Sequence, residues 1–77
     1  MIVEVQLWSY LVEYAPAGHK RFNMEVGTEA NIGLLLSTLE IPPEEQKVVL
    51  VNGRQATDQT PLADGDEVIV FPAIAGG

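Results

Sequence analysis

The sequence predicts an α+β domain, a mixed sheet of four to five strands with one main helix packed on one face. Three observations carry that prediction. Residues 3–8 and 21–26 alternate apolar and polar with period two. Residues 32–39 switch to a helical period, and residues 68–71 are apolar throughout.

The first strand is read from Val3, Val5 and Leu7 set against Glu4, Gln6 and Trp8. Period two places these sets on opposite faces of a half-buried strand. Ala15-Pro16-Ala17-Gly18 then interrupts the pattern as a turn. A second alternation sets Phe22, Met24 and Val26 against Arg21, Asn23 and Glu25, which completes a hairpin with a generous loop. Ile32, Leu35, Leu36 and Leu39 stand at i, i+3, i+4 and i+7, one face of a helix of about ten residues. Asn31 is its expected N-cap, and Pro42-Pro43 bar its continuation. Glu44 and Glu45 after these prolines predict a short helical turn.

Val48 to Val51 is a β-branched strand running into Asn52-Gly53, a hairpin turn in which both residues tolerate positive φ. A short edge strand is expected near Gln55, and Asp64-Gly65-Asp66 is a further turn. The last strand, Val68-Ile69-Val70-Phe71, has two apolar faces, as strands at a sheet centre do. Pro72 is expected to end it. The first and last strands are expected side by side in mid-sheet.

Composition narrows the function. A chain of 77 residues is one small domain with a modest core and little room for a deep pocket of its own. With no cysteine and one histidine, His19, thiolate catalysis, iron–sulfur ligation and zinc ligation are disfavoured, and no metal site is expected. Asp64-Gly65-Asp66-Glu67 lacks the ligand count calcium needs and is read as turn chemistry. Eleven acids against four bases give a net charge of −7, which argues against nucleic acid and toward a protein partner with a basic groove. No apolar run approaches the roughly 20 residues that span a bilayer, so no membrane is expected. No signal peptide is visible, and the expected compartment is the cytoplasm.

The chemistry is expected in Pro72-Ala73-Ile74-Ala75-Gly76-Gly77. Two closing glycines arise by chance in about half a per cent of chains, taking glycine at ~7%. A C-terminal carboxylate becomes electrophilic when adenylated, provided it can reach the α-phosphate of ATP inside another protein. Glycine has no Cβ and lets backbone pass a narrow channel. Six extended residues reach about 20 Å at ~3.3 Å each. The activated carboxylate can then become a thiocarboxylate, a sulfur donor that needs no cysteine in the carrier.

Three stretches, Val51-Asn52-Gly53-Arg54, Thr60-Pro61-Leu62-Ala63-Asp64-Gly65-Asp66-Glu67-Val68 and Phe71 to Gly77, resemble the ThiS/MoaD sulfur-carrier family. Within it they are similar to the small subunit of molybdopterin synthase. Ala30-Asn31-Ile32-Gly33-Leu34-Leu35-Leu36 resembles the family's helix start. The resemblance implies a β-grasp (ubiquitin-like) fold over residues 1–71 and a flexible tail over 72–77. It implies that Gly77 is adenylated and thiocarboxylated by a ubiquitin-activating-type adenylyltransferase. ATP is used by that partner, and no cofactor is bound by the carrier. Gly76 and Ala75 would thread the activating site. Phe71 and Trp8, with Pro72 and Ile74, would bind partners, among them a molybdopterin synthase large subunit or another sulfur acceptor.

The sequence departs from the family at two places. Leu11-Val12-Glu13 stands where many members carry Leu-Arg-Glu, and Leu34 stands where an acid is common at the helix start. The second change removes a favourable charge from the positive end of the helix dipole. The chain is expected not to be an enzyme by itself. Sulfur delivery to thiazole, tungsten-cofactor or amino-acid synthesis stays open beside the molybdopterin pathway. So do transfer of Gly77 to lysine amines, as a protein modifier, and a passive adaptor role using only Phe71 and Trp8.

Overall fold

The computed structural model describes residues 1–73. Its elements run β1 (Ile2–Leu7), two short 3-10 segments (Ser9–Tyr14 and Pro16–Gly18), β2 (Arg21–Glu25), α1 (Ile32–Thr38), β3 (Lys47–Val51), β4 (Arg54–Gln55) and β5 (Glu67–Pro72). The five strands form one sheet in the order β2-β1-β5-β3-β4. β1 pairs antiparallel with β2 and parallel with β5. β5 also pairs antiparallel with β3, so the two strands from the ends of the chain lie together in mid-sheet, as expected.

Alternation decides which face is covered. Val3, Val5 and Leu7 of β1 and Val68 and Val70 of β5 are all fully buried. They pack with Ile32, Leu35 and Leu36 from one stripe of α1, and with Leu11, Ile41, Val49 and Leu62. Their strand neighbours point to the opposite face, which no helix covers among the described residues. There Val48 is paired with Phe71, and Leu50 with Ile69. These four side chains are only partly buried.

The helix begins as the sequence predicts. The Asn31 side chain accepts a hydrogen bond from the Leu34 backbone N–H at 2.9 Å. It ends earlier than the prolines require, after seven residues. Glu40 adopts the left-handed conformation with φ of 62°. The Ile41 N–H then reaches the Leu36 carbonyl at 3.0 Å, and the Glu40 N–H reaches Ser37 at 2.9 Å. That pair of bonds is a Schellman stop, built here on a glutamate in place of glycine. The acids after the prolines lie in one short hydrogen-bonded turn, Glu45 N–H to Pro42 O at 3.0 Å.

At the β3–β4 hairpin, Asn52 and Gly53 both have positive φ, 52° and 84°, the type I′ requirement. The Asn52 side chain joins this turn to the one at residues 64–66. It donates to Asp66 Oδ1 at 2.9 Å and accepts from the Glu67 N–H at 3.0 Å. Asp66 Oδ2 accepts from Ala63 N–H at 2.8 Å, and Asp64 accepts from Ile2 N–H at 2.7 Å. The turn acids are therefore occupied by structural hydrogen bonds.

β5 includes Pro72, one residue beyond the expected end. Ala73 N–H donates to Gln46 O at 3.1 Å, and Val70 O accepts from Trp8 N–H at 3.0 Å. Strand alternation then points the backbone of Pro72 toward β1, which has already ended. The missing proline N–H costs no ladder bond there.

Candidate functional site: an aromatic groove at the end of the central strand

Three chain segments converge where β1 and β5 end and β2 begins. Trp8 N–H is held by Val70 O at 3.0 Å, and Leu7 N–H by Lys20 O at 2.9 Å. These backbone bonds fix Trp8 beside Phe71 and bring Lys20 next to both. The two aromatic rings lie 5.8 Å apart between centroids, tilted by 37°. That separation falls in the favourable range for aromatic pairs. The indole N–H is satisfied by the Gln6 side chain at 3.2 Å. Gln6, on the face away from the helix, is buried under this contact. The Lys20 ammonium sits 5.0 Å from the indole centroid, within cation–π range.

Ser9 turns the chain away immediately after Trp8 with a φ of 58°. The turn opens the first 3-10 segment and lets Leu11 swing into the core, where it is fully buried. The result is an open groove of about 480 Å³ lined by Trp8, Ser9, Tyr10, Lys20, Phe71, Pro72 and Ala73. Trp8 and Tyr10 stay 40% and 52% exposed, large apolar area for a chain of this size. The Tyr10 phenol is held above its ordinary pKa, first by polar contact with the Glu45 carboxylate. Tyr14 is also raised, first by desolvation and then by the surrounding acids Glu13, Glu45 and Glu44.

Of the residues predicted to bind partners, Trp8, Phe71 and Pro72 are brought together. Ile74, Ala75, Gly76 and Gly77 lie outside the described residues. Tyr10 also lines the groove, one of the two places its loop position allowed, under the loop or beside this patch. Lys20 and Ser9 belong to the groove and were not singled out from sequence as part of it. The hairpin register holds no signal for Lys20. The register ends at Gln6–Arg21, and extending it would set Lys20 opposite Leu7 on the buried face, so its place over Trp8 follows from the chain leaving the ladder there. Among the described residues, no group of three His, Asp or Glu side chains could hold a metal ion. No helix among them is long and apolar enough to cross a membrane.

Comparison with known proteins decides the family. The ThiS family model matches residues 6–77. The chain belongs to the ThiS family. The match runs from Gln6, near the end of β1, to the last residue, so it includes both the groove and the diglycine.

Solved structures share the β-grasp, ubiquitin-like architecture of this ThiS-family chain. The HVO 2177 protein of Haloferax volcanii is 31% identical with a TM-score of 0.82, over 100% of this chain and 87% of that one. SAMP1 of Haloferax volcanii, a small archaeal modifier protein, is 26% identical with a TM-score of 0.79 over all of both chains. A putative molybdopterin converting factor subunit 1 from Pyrococcus furiosus is 26% identical with a TM-score of 0.77, over 95% of this chain and 98% of that one. No curated protein matches the chain. The neighbours thus include both molybdopterin-type and modifier-type proteins, and membership of the ThiS family leaves the receiving pathway open.

Proposed function

We propose that this ThiS-family chain is a sulfur carrier whose Gly77 carboxylate is activated and thiolated by a partner, and that it serves molybdopterin synthesis. The observation that carries the reading is the groove at the end of β5. A Trp8–Phe71 pair, with Trp8 exposed and Phe71 half-buried, stands before a segment whose sequence closes with Gly76-Gly77. A partner that grips the aromatic pair holds the domain outside while residues 74–77 enter its active site. Pro72 is still paired with Lys47 and Ala73 is hydrogen-bonded to Gln46. The reach beyond the sheet is therefore counted from residue 74, about 13 Å at ~3.3 Å per residue. That is shorter than the 20 Å expected from sequence, and the docking face must lie correspondingly close to the activating centre.

The chemistry balances in two steps. The Gly77 carboxylate attacks the α-phosphorus of ATP, forming an acyl-adenylate and releasing pyrophosphate. A sulfur nucleophile then displaces AMP, leaving a thiocarboxylate. The carrier contributes the acyl group and its presentation. The partners contribute the catalysis, so the chain is a co-substrate and not an enzyme.

Likeness to the Pyrococcus molybdopterin converting factor subunit supports the molybdopterin assignment, with a synthase large subunit as acceptor. Likeness to the small archaeal modifier protein supports a second reading, transfer of the same activated Gly77 to lysine amines. Incubation with a ubiquitin-activating-type enzyme, ATP and a sulfide source, followed by intact-mass measurement, tests both. The carrier reading expects the sulfur-for-oxygen mass increase on the whole chain and none on a chain lacking Gly76-Gly77. An isopeptide ladder on other proteins without that increase would favour modification. Unchanged partner function after the deletion would overturn both.

A further inference from the structure

The groove has a charge character opposite to that of the chain. The protein carries eleven acids and four bases, yet none of the acids lines the groove and one base, Lys20, does. Lys20 makes no ion pair among the described residues, where the pair found is Arg21 Nε to Glu4 Oε1 at 4.0 Å. Its ammonium is held over the Trp8 ring at 5.0 Å and exposed. Around it the walls are aromatic or aliphatic, from Trp8, Phe71, Pro72 and Ala73. The indole N–H already has its partner in Gln6, so the part of the ring that stays exposed beside Lys20 and Phe71 is left for apolar contact.

From this we infer that the groove receives a protein segment that pairs an apolar side chain with a carboxylate, the carboxylate meeting Lys20. A basic residue at that point would face a cation already in place. A phosphate backbone would find one cation on a chain of net charge −7. An acid on the partner is repelled across most of this surface and accepted at Lys20. The lysine therefore fixes the register of docking more than its strength, because like charges elsewhere penalise every other placement. The basic groove expected from net charge alone would then describe the partner's surroundings, with an acid at this one contact. The inference rests on the sulfur-carrier reading only in taking the groove as the partner's docking site.

The test uses the full chain, labelled with nitrogen-15, and small probes of defined charge. The amide and indole N–H signals are followed during titration with 3-phenylpropanoate, with its neutral amide and with phenethylammonium. The expected result is a saturable shift at the Trp8 indole and the Ala73 amide. Phenylpropanoate should bind about two- to fivefold tighter than the neutral amide, the size of one exposed ion pair. Phenethylammonium should bind weakest. Lys20→Gln should remove the preference and Lys20→Glu should reverse it, with an otherwise native spectrum in both. Equal affinity for the three probes, or a preference that survives Lys20→Glu, would overturn the inference. Conversion of Gly77 measured by mass is independent of the probes. Conversion without probe preference removes this inference alone, and preference without conversion removes the carrier reading alone.

Discussion

Adjacent residues of β5 should separate folding from partner recognition. Val70 is fully buried against the helix, whereas Phe71 is half-buried on the open face and paired with Trp8. Val70→Ala removes two methyl groups from a closed core, costing about 2–3 kcal/mol from lost burial plus the cavity left behind. A fully buried Phe→Ala costs about 3–5 kcal/mol. Halving that for exposure, with the aromatic pair included, gives about 2 kcal/mol for Phe71→Ala. At about 4–8 °C per kcal/mol for a domain of this size, Val70→Ala should melt roughly 8–24 °C and Phe71→Ala roughly 8–16 °C below wild type. Their effects on a partner should differ. An aromatic anchor at the centre of an interface contributes about 2 kcal/mol or more, so Phe71→Ala should slow Gly77 activation at limiting enzyme roughly 30-fold. Val70→Ala should change it less than about threefold, assayed well below its melting temperature. Chemical denaturation and mass-based conversion kinetics supply the two readouts. Equal loss of activation in both variants would refute the assignment of separate roles to the two faces.

Neighbouring leucines of α1 make a second pair, since Leu35 is fully buried and Leu34 is 54% exposed. Leu35→Ala should cost about 2–5 kcal/mol and Leu34→Ala less than ~0.5 kcal/mol in urea denaturation, with unchanged slopes. Glu40 holds a left-handed conformation at the helix stop. Glu40→Gly should raise stability by roughly 0.5–1 kcal/mol, and a loss would show that its side chain does more there than the backbone strain costs. Tyr10 and Tyr14 both have folded pKa values above the ordinary 10.0. The folded chain therefore keeps their protons longer than the unfolded chain, so their contribution is complete below pH 10 and declines as pH rises through the folded values. A Tyr10→Phe, Tyr14→Phe double variant should lose less melting temperature than wild type over that alkaline range. Parallel curves would remove the tyrosines as the cause.

The elements with a period or a local signal were legible from the residues. Alternation at Val3–Leu7, the helical stripe at Ile32–Leu36, the Asn31 cap and the Asn52-Gly53 turn all declare themselves within a few neighbours. Leu11 did not, because one leucine in a loop has no period, and its burial depends on the left-handed turn at Ser9. The helix stop at Glu40 was hidden for a related reason. A glutamate gives no glycine-like signal, and the prolines behind it supplied a sufficient but later explanation. In the groove, Trp8 and Phe71 were brought together by the family resemblance, and strand alternation puts both on the face away from the helix. Lys20 lies past the last register pair, where pairing no longer says which way a side chain turns, and the Asn52–Asp66 link required knowing that two turns far apart in sequence meet in space. Position 72 was misjudged by one residue because proline was read as a strand breaker. The cost of its missing donor depends on where the neighbouring strand ends.

The parallel pairing of β1 with β5 has a mechanical consequence. A partner that draws the terminal carboxylate into its active site pulls along the axis of β5. The bonds tying that strand to β1 and β3 lie across the pull, so the load falls on them together instead of unzipping them singly. Under the proposed carrier role, the body of the domain can thus bear traction at the end of β5 without coming apart.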